Sequence, residues 1–272
     1  MAEHRDDAKI IAGGQSLMPL LAFRLTRPEL LIDLTGVAEL DHLSADGNTL
    51  TIGALTTHRA VEKASDTAVP ATVRRAVEHI GHVGIRNRGT VGGSLAHGDP
   101  SAEWAAVALA YDGVIVAVSR AGQRRIAAAD FFLDMWTTAL RPDEVLRELV
   151  LGTPPGVCGS TYLEFARRHG DSAVAGVCVV LSTDRAGAIV RARLSVTGAG
   201  RVATRCRRAE QALTGRPLDP DVLTEVSELT VADIEPRGQD QDERRHRIEV
   251  VRTLARRAIQ DAAGQINQEV QK

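Results

Sequence analysis

Gly81-His82-Val83-Gly84-Ile85-Arg86-Asn87-Arg88-Gly89-Thr90-Val91-Gly92-Gly93-Ser94-Leu95-Ala96-His97-Gly98-Asp99-Pro100-Ser101-Ala102-Glu103 lies between two segments with helical spacing. It concentrates glycines, a basic Arg-Asn-Arg step, small hydroxyl residues, a histidine and two acids, more chemistry than a connecting loop needs. Residues of these kinds let a backbone approach a bound anion closely. A second glycine turn, Gly13-Gly14-Gln15-Ser16, follows the apolar run Lys9-Ile10-Ile11-Ala12, which reads as a buried strand entering a tight turn. Successive glycines there free N–H groups to converge on an anion, with phosphate or pyrophosphate the natural guest and a purely structural turn the alternative.

Outward from these turns, Leu17 to Leu25 has the character of a short helix and Leu30-Leu31-Ile32-Asp33 that of a strand. Asp46-Gly47 is a hairpin turn that pairs Leu40 to Ser44 with Asn48 to Gly53. Thr57 caps a helix reaching about Ala64, Pro70 to Ile80 is helical, and Ala102 to Tyr111 is an alanine-rich helix ended by Asp112-Gly113. Val114 to Val118 resumes a strand that Arg124 to Ala127 pairs with, and Thr153-Pro154-Pro155-Gly156 marks a domain break. Beyond it, runs near Thr161 to Phe165, Val177 to Ser182 and Ile189 to Val196 precede helices over Ala203 to Leu213, Pro220 to Thr230 and Arg244 to Ala263, with a frayed tail after Gly264. Strands first and helices afterwards predict an α+β module.

With 272 residues, 44% of them hydrophobic, the chain can fill one large or two ordinary domains. A formal charge of −2, from 33 basic and 35 acidic residues, argues against a nucleic-acid partner, and the basic runs Arg205 to Arg208 and Arg244 to Arg247 read as solvated helix faces. Cys158, Cys178 and Cys206 are too scattered for a disulfide framework, a metal knot or an iron–sulfur cluster on this chain. The charged start Met1 to Asp7 is unlike a secretory signal, and no apolar run approaches the roughly 20 residues of a membrane span, so the cytoplasm is the expected location.

Three motifs invite other chemistries. Gly198-Ala199-Gly200-Arg201-Val202-Ala203 fits a dinucleotide fingerprint, but the following helix runs into Thr214 to Pro220 with no second strand to carry the acid. Ser94, His97 and Asp99 lack the G-x-S-x-G elbow of a hydrolase, and two ligands do not make a metal site. What survives is the pair of turns, Ala12 to Ser16 and Thr90 to Ser94, which are expected to wrap one pyrophosphate with backbone N–H groups. That favours a dinucleotide over a mononucleotide and leaves FAD and other diphosphates open.

Ala12-Gly13-Gly14-Gln15-Ser16-Leu17 with Arg27-Pro28 and Ile32-Asp33, then Ile85 to His97, then Tyr162-Leu163-Glu164-Phe165-Ala166-Arg167-Arg168-His169-Gly170-Asp171, resemble the signatures of the FAD-binding medium subunit of the molybdenum hydroxylases. The resemblance covers nearly the whole chain. It implies an α+β fold: a PCMH/vanillyl-alcohol-oxidase-type FAD-binding domain of two subdomains over residues 1–155, then a smaller α+β C-terminal domain over residues 156–272. It carries the FAD diphosphate to Ala12, Gly13, Gly14, Gln15, Ser16, Thr90, Val91, Gly92, Gly93 and Ser94, and a flavin-nucleotide contact to Glu103, where relatives usually have Asp. Two departures stand out: relatives usually carry a first strand and helix ahead of the Asp6-Asp7-Ala8-Lys9 position, and often a Tyr-Arg step where Arg244-Arg245 stand.

The implied activity is oxidoreductase electron transfer without an acid–base residue on this chain. A large partner subunit would carry the molybdenum cofactor and a small one two 2Fe–2S clusters, in a heterotrimer or a dimer of heterotrimers, and FAD here would pass electrons to an external acceptor. Aromatics are 3% of residues, so Ile11 or Ile85 is expected to cover the flavin ring in their place. Two other readings remain at this point: a stand-alone PCMH-type flavin oxidoreductase that binds its own substrate, and a partner-binding remnant without FAD.

Overall fold

The computed structural model describes residues 7–154, 157–184 and 188–270. The expected boundary between 155 and 156, and the charged start up to Asp6, lie outside the described residues. The chain opens with β1 (Ala8–Ile11), α1 (Leu17–Ala22) and β2 (Leu30–Asp33), and β1 and β2 pair in parallel. A hairpin follows, β3 (Leu43–Asp46) and β4 (Thr49–Gly53), turning at Gly47 with φ +54°. The turn is the expected one, but the first strand starts later than Leu40, which instead ends a single 3-10 turn over Ala38–Leu40.

Four helices come next: α2 (His58–Glu62), α3 (Ala71–His79), α4 (Val83–Arg86) and α5 (Val91–His97). The stretch between Gly81 and Glu103 is therefore two short helices with tight turns. Thr57 caps α2 as expected, its side chain accepting from Ala60 N at 3.1 Å, and Thr90 caps α5 in the same way through Gly93 N at 3.1 Å. α6 (Glu103–Ala110) leads into β5 (Val114–Ser119) and β6 (Gly122–Ala127). A small hairpin, β7 (Phe132–Asp134) and β8 (Thr137–Thr138), precedes β9 (Val145–Gly152), which inserts between β4 and β5 to give an antiparallel sheet ordered β3-β4-β9-β5-β6.

The second half is an antiparallel sheet of β10 (Cys158–Phe165), β11 (Ala175–Thr183), β12 (Ile189–Thr197) and β13 (Thr204–Arg205), then α7 (Arg207–Leu213), α8 (Pro220–Ala232) and α9 (Gln241–Val270). The helix expected from Ala203 starts four residues later because Thr204–Arg205 pairs with β12. α9 does not stop near Gly264. It runs to Val270 because Ala262 and Ile266 bury against the sheet.

Two residue runs explain how the halves join. In β11, Val177, Val179 and Leu181 join the core under α7 to α9, while Cys178 and Val180 join the core of the first half. The strand is buried on both faces, which is why it reads as a continuous apolar run. α6 is buried at all eight positions, and its alanines let it pack between the two sheets. At its C-terminal end Asp112 adopts φ +46° and receives Arg191 (2.5 Å), Arg193 (2.8 Å) and Arg205 (2.6 Å) from the second sheet, with Glu210 balancing Arg205 at 2.8 Å. Arg205 is thus part of a half-buried seam and not a solvated face as its basic run suggested. Burial pushes the Asp112 carboxyl up, but the Arg193, Arg205 and Arg191 guanidiniums outweigh it and hold it below the ordinary 3.8.

A carboxylate held low stabilises the fold above its unfolded value and loses that contribution as pH falls through its folded value. Asp112→Asn is expected to destabilise the chain by about 1–3 kcal/mol at neutral pH, because three arginines lose their charged partner. Thermal unfolding checks this: the gap between wild type and variant should shrink below pH 4, the region under the ordinary value of 3.8.

Candidate functional site

The first glycine turn leaves β1 at Ile11, where Leu34 N donates to the Ile11 carbonyl at 3.0 Å. Gly14 takes φ +72°, and the Gln15 side chain folds back, its Nε2 donating to Gly13 O at 3.0 Å. Among the described residues, the N–H groups of Gly13, Gly14, Gln15 and Ser16 donate to no protein acceptor. Gln15 and Ser16 are exposed and Gly13 is buried. This is a set of unspent donors, as an anion site needs.

The second motif is built differently. Val91 N donates to Thr56 O (3.0 Å), Gly92 N to Ala54 O (2.9 Å), Gly93 N to Thr90 Oγ1 (3.1 Å) and Ser94 N to Thr90 O (3.0 Å). These four are consumed inside the protein, whereas the Thr90 N–H, like those of Gly13 to Ser16, donates to no protein acceptor among the described residues, so the second motif presents one backbone donor where the first presents a row. The cause is a long-range strap: Thr57 and Thr90 form an antiparallel bridge, and the 54–56 carbonyls cap the start of α5. Gly92 is required by this packing, since a Cβ there would lie 2.5 Å from Ala54 Cβ.

The two motifs nevertheless meet. A Cβ on Gly13 would overlap the Arg88 carbonyl oxygen and come within 2.9 Å of Gly89 Cα, and one on Gly93 would sit 3.8 Å from Ala12 Cβ. Ala12 and Gly13 thus pack on Arg88, Gly89 and Gly93, with Thr90, Val91 and Gly92 directly behind and Ser94 half-buried one step along α5. The exposed Arg88 also acts on the end of β2: hydrogen bonds from Thr35 first, and the Arg88 charge last, hold Asp33 below its ordinary value. A narrow backbone cradle with free N–H groups on one side and no room for a side chain fits a diphosphate.

Glu103 is placed elsewhere. It opens α6, is 9% exposed, and faces Glu164 of β10 across the seam between the halves; no hydrogen bond or ion pair among the described residues links it to either motif. Glu164 Oε2 accepts the Tyr162 hydroxyl at 2.6 Å, and His79 Nδ1 stands 3.8 Å from its other oxygen. Burial, then the neighbouring Glu164 charge, pushes Glu103 well up; burial pushes Glu164 up to about 7 against the Tyr162 hydrogen bond. Burial also pulls His79 down, which disfavours its charged form in the His79–Glu164 contact. The sequence had no signal that Glu103 turns inward.

The other motifs resolve as structure. Asp99 Oδ1 accepts from Ser101 N at 2.8 Å, with no triad contact to Ser94 or His97 among the described residues. Gly198, at φ +83°, passes close to the Ala173 and Val174 carbonyls, and its own carbonyl takes Arg237 Nε (2.8 Å) and Arg247 Nη1 (2.9 Å). It is a strand crossing, not a dinucleotide turn. Arg247 holds this crossing from a run that read as solvated, and His58 and Trp104, behind Gly89, were not singled out at all.

The buried acid pair has a pH signature. A carboxyl raised by the fold costs stability as pH rises from its unfolded value toward its folded one. Stability is therefore expected to decline between about pH 4.5 and 7 through this pair, and Glu164→Gln to flatten that decline; urea unfolding across the range measures it.

Residues 1–153 match the family model described as "FAD binding domain in molybdopterin dehydrogenase", and residues 160–262 the model "CO dehydrogenase flavoprotein C-terminal domain". The 6-hydroxypseudooxynicotine dehydrogenase complex subunit alpha of Paenarthrobacter nicotinovorans is 36% identical over 263 residues, covering 96% of this chain and 89% of that one. The carbon monoxide dehydrogenase structure from Hydrogenophaga pseudoflava superposes with a TM-score of 0.92 at 29% identity, covering 97% of this chain and 92% of the other. Quinoline 2-oxidoreductase from Pseudomonas putida 86 gives a TM-score of 0.88 at 35% identity, with 95% and 90% covered. With matching models over both halves and relatives spanning nearly its full length, this chain belongs to the family of FAD-binding medium subunits of the molybdenum hydroxylases.

Proposed function

We propose that this chain binds FAD in the Ala12–Ser16 turn and passes electrons from 2Fe–2S clusters of a small partner subunit to an external acceptor, within a complex whose large subunit carries the molybdenum cofactor. The observation that carries the reading is the row of free N–H groups over Gly13 to Ser16, in a turn pressed against Arg88 and Gly89 without room for a Cβ. When bound, FAD supplies both one-electron and two-electron redox chemistry. The protein's part is to bind and orient it.

In this assignment Gly13, Gly14, Gln15 and Ser16 donate to the diphosphate, with the Thr90 N–H and the Ser94 hydroxyl available beside them, while Val91, Gly92 and Gly93 form the wall that shapes the cradle. Glu103 serves the seam between the halves and is left out of the nucleotide contacts. Ile85, 37% exposed, and Ile11, partly exposed, are the aliphatic surfaces that would cover the ring. We divide the chain into an FAD-binding domain over 1–155 and a C-terminal domain over 156–272, a reading supported by family models that span 1–153 and 160–262. The stand-alone oxidoreductase is not favoured, since relatives such as the Paenarthrobacter protein are named as subunits of a complex. No helix among the described residues is long and apolar enough to cross a membrane, and we place the assembly in the cytoplasm, as a heterotrimer or a dimer of heterotrimers.

The test is the absorption spectrum of the purified chain, alone and co-expressed with its partner subunits. A yellow protein is expected, and colourless protein under both conditions overturns the FAD assignment. Gly13→Ala must push the Arg88 carbonyl away and is expected to weaken FAD binding by about 100-fold or more, read by flavin fluorescence quenching.

A further inference from the structure

Behind the Arg88–Gly89 backbone lies a buried histidine. His58 begins α2 and is 3% exposed; its backbone N–H donates to Gly89 O at 2.9 Å, next to the Thr57–Thr90 bridge. Trp104, from the first turn of α6 and 1% exposed, donates its indole N–H to His58 Nδ1 at 3.1 Å, with the rings stacked 6.3 Å apart at 28°. An indole N–H can only donate, so Nδ1 must accept, and the imidazole is neutral with its proton on Nε2. Burial first, and the Arg86 charge second, pull the ring to about 4, in agreement with the tautomer that geometry demands.

The far edge of the ring faces Gly89. A Cβ on Gly89 would lie 2.9 Å from His58 Cδ2 and 3.0 Å from Nε2, and Gly89 Cα in turn lies 2.9 Å from where a Cβ on Gly13 would stand. Trp104, His58, Gly89 and Gly13 therefore form one unbroken stack, from the helix between the two sheets to the turn with the free N–H groups. Arg86, buried on Glu62 (3.0 Å) and the carbonyls of Ile80 (3.2 Å) and Gly81 (3.0 Å), anchors the segment that leads into Arg88.

We propose that His58, braced by Trp104, is the positioning residue that seats the Arg88–Gly89 backbone against Gly13 and thereby sets the affinity of the turn for the FAD diphosphate. The inference rests on the FAD assignment above. Its physical content is preorganisation: a backbone edge already held in the bound geometry does not lose ordering free energy when the ligand arrives.

The experiment uses the full chain freed of flavin. FAD Kd is read by flavin fluorescence quenching, and the thermal midpoint of each apoprotein is read separately by circular dichroism. His58→Ala is expected to raise Kd by about tenfold or more, while His58→Asn, which keeps an acceptor at the Nδ1 position and an atom at Cδ2, stays within about threefold of wild type. A folded Ala variant that binds within about threefold of wild type, or Kd values that merely follow the apoprotein midpoints, overturns the proposal. Should the Ala variant fail to fold, His58→Leu, which fills the space without an acceptor, is judged by the same ratio. Wild type that binds no FAD overturns the site assignment and this inference with it; wild type that binds while the variants are indifferent overturns this inference alone.

Discussion

The candidate site depends on the missing side chain of Gly13. Its Cα hydrogens face the Arg88 carbonyl oxygen at a separation no Cβ could share, and through that contact the start of the chain is keyed to a segment more than seventy residues away. Once the contact is made, Gly89 is trapped between Gly13 and the His58 ring, and α5 is held by carbonyls of the 54–56 segment. Two glycine-rich motifs of similar appearance then divide the work. One keeps its N–H groups free and can donate; the other has used all but that of Thr90 and chiefly gives shape.

The halves of the molecule are joined by elements buried on every side. β11 contributes alternate side chains to two cores, and α6 has no solvent face at all, so neither half could be removed without exposing apolar surface of the other. The polar groups at this seam are of two kinds. At one end Asp112 gathers three guanidiniums and stays charged; at the other Glu103 and Glu164 face each other in a dry setting where at least one must hold its proton. Trp104 stands next to Glu103 on the same helix turn, so the seam and the cradle share an element.

Local pattern revealed much of the architecture because many of its signals are local. Thr57, Asp46-Gly47 and Asp112-Gly113 act within a few residues, and the structure bears them out. The glycine turn at 13–16 was legible for the same reason. What was not legible depended on distant partners: the Thr57–Thr90 bridge that turns the second motif into a helix start, the burial of Glu103 against a strand sixty residues on, and the roles of Arg205 and Arg247 as internal ligands for a carboxylate and for carbonyls. His58 carried no pattern of its own. A lone histidine after a threonine is silent until Trp104 and Gly89 are seen on its two edges.

The charge balance explains why such bracing matters. A diphosphate arrives with negative charge, yet the chain has a formal charge of −2 and offers no general attractive field. The Arg88 side chain, exposed next to Asp33, is a local cation whose effect water and salt weaken. Binding must then come chiefly from oriented N–H dipoles, whose worth depends on their holding one geometry before the ligand is present. A turn with four free donors and two exposed residues has every tendency to relax toward water. The stack of Gly13 on Gly89, Gly89 on His58 and His58 on Trp104 opposes that relaxation, and it does so with uncharged groups buried in the core, so its effect is insensitive to ionic strength where a ring of arginines would not be.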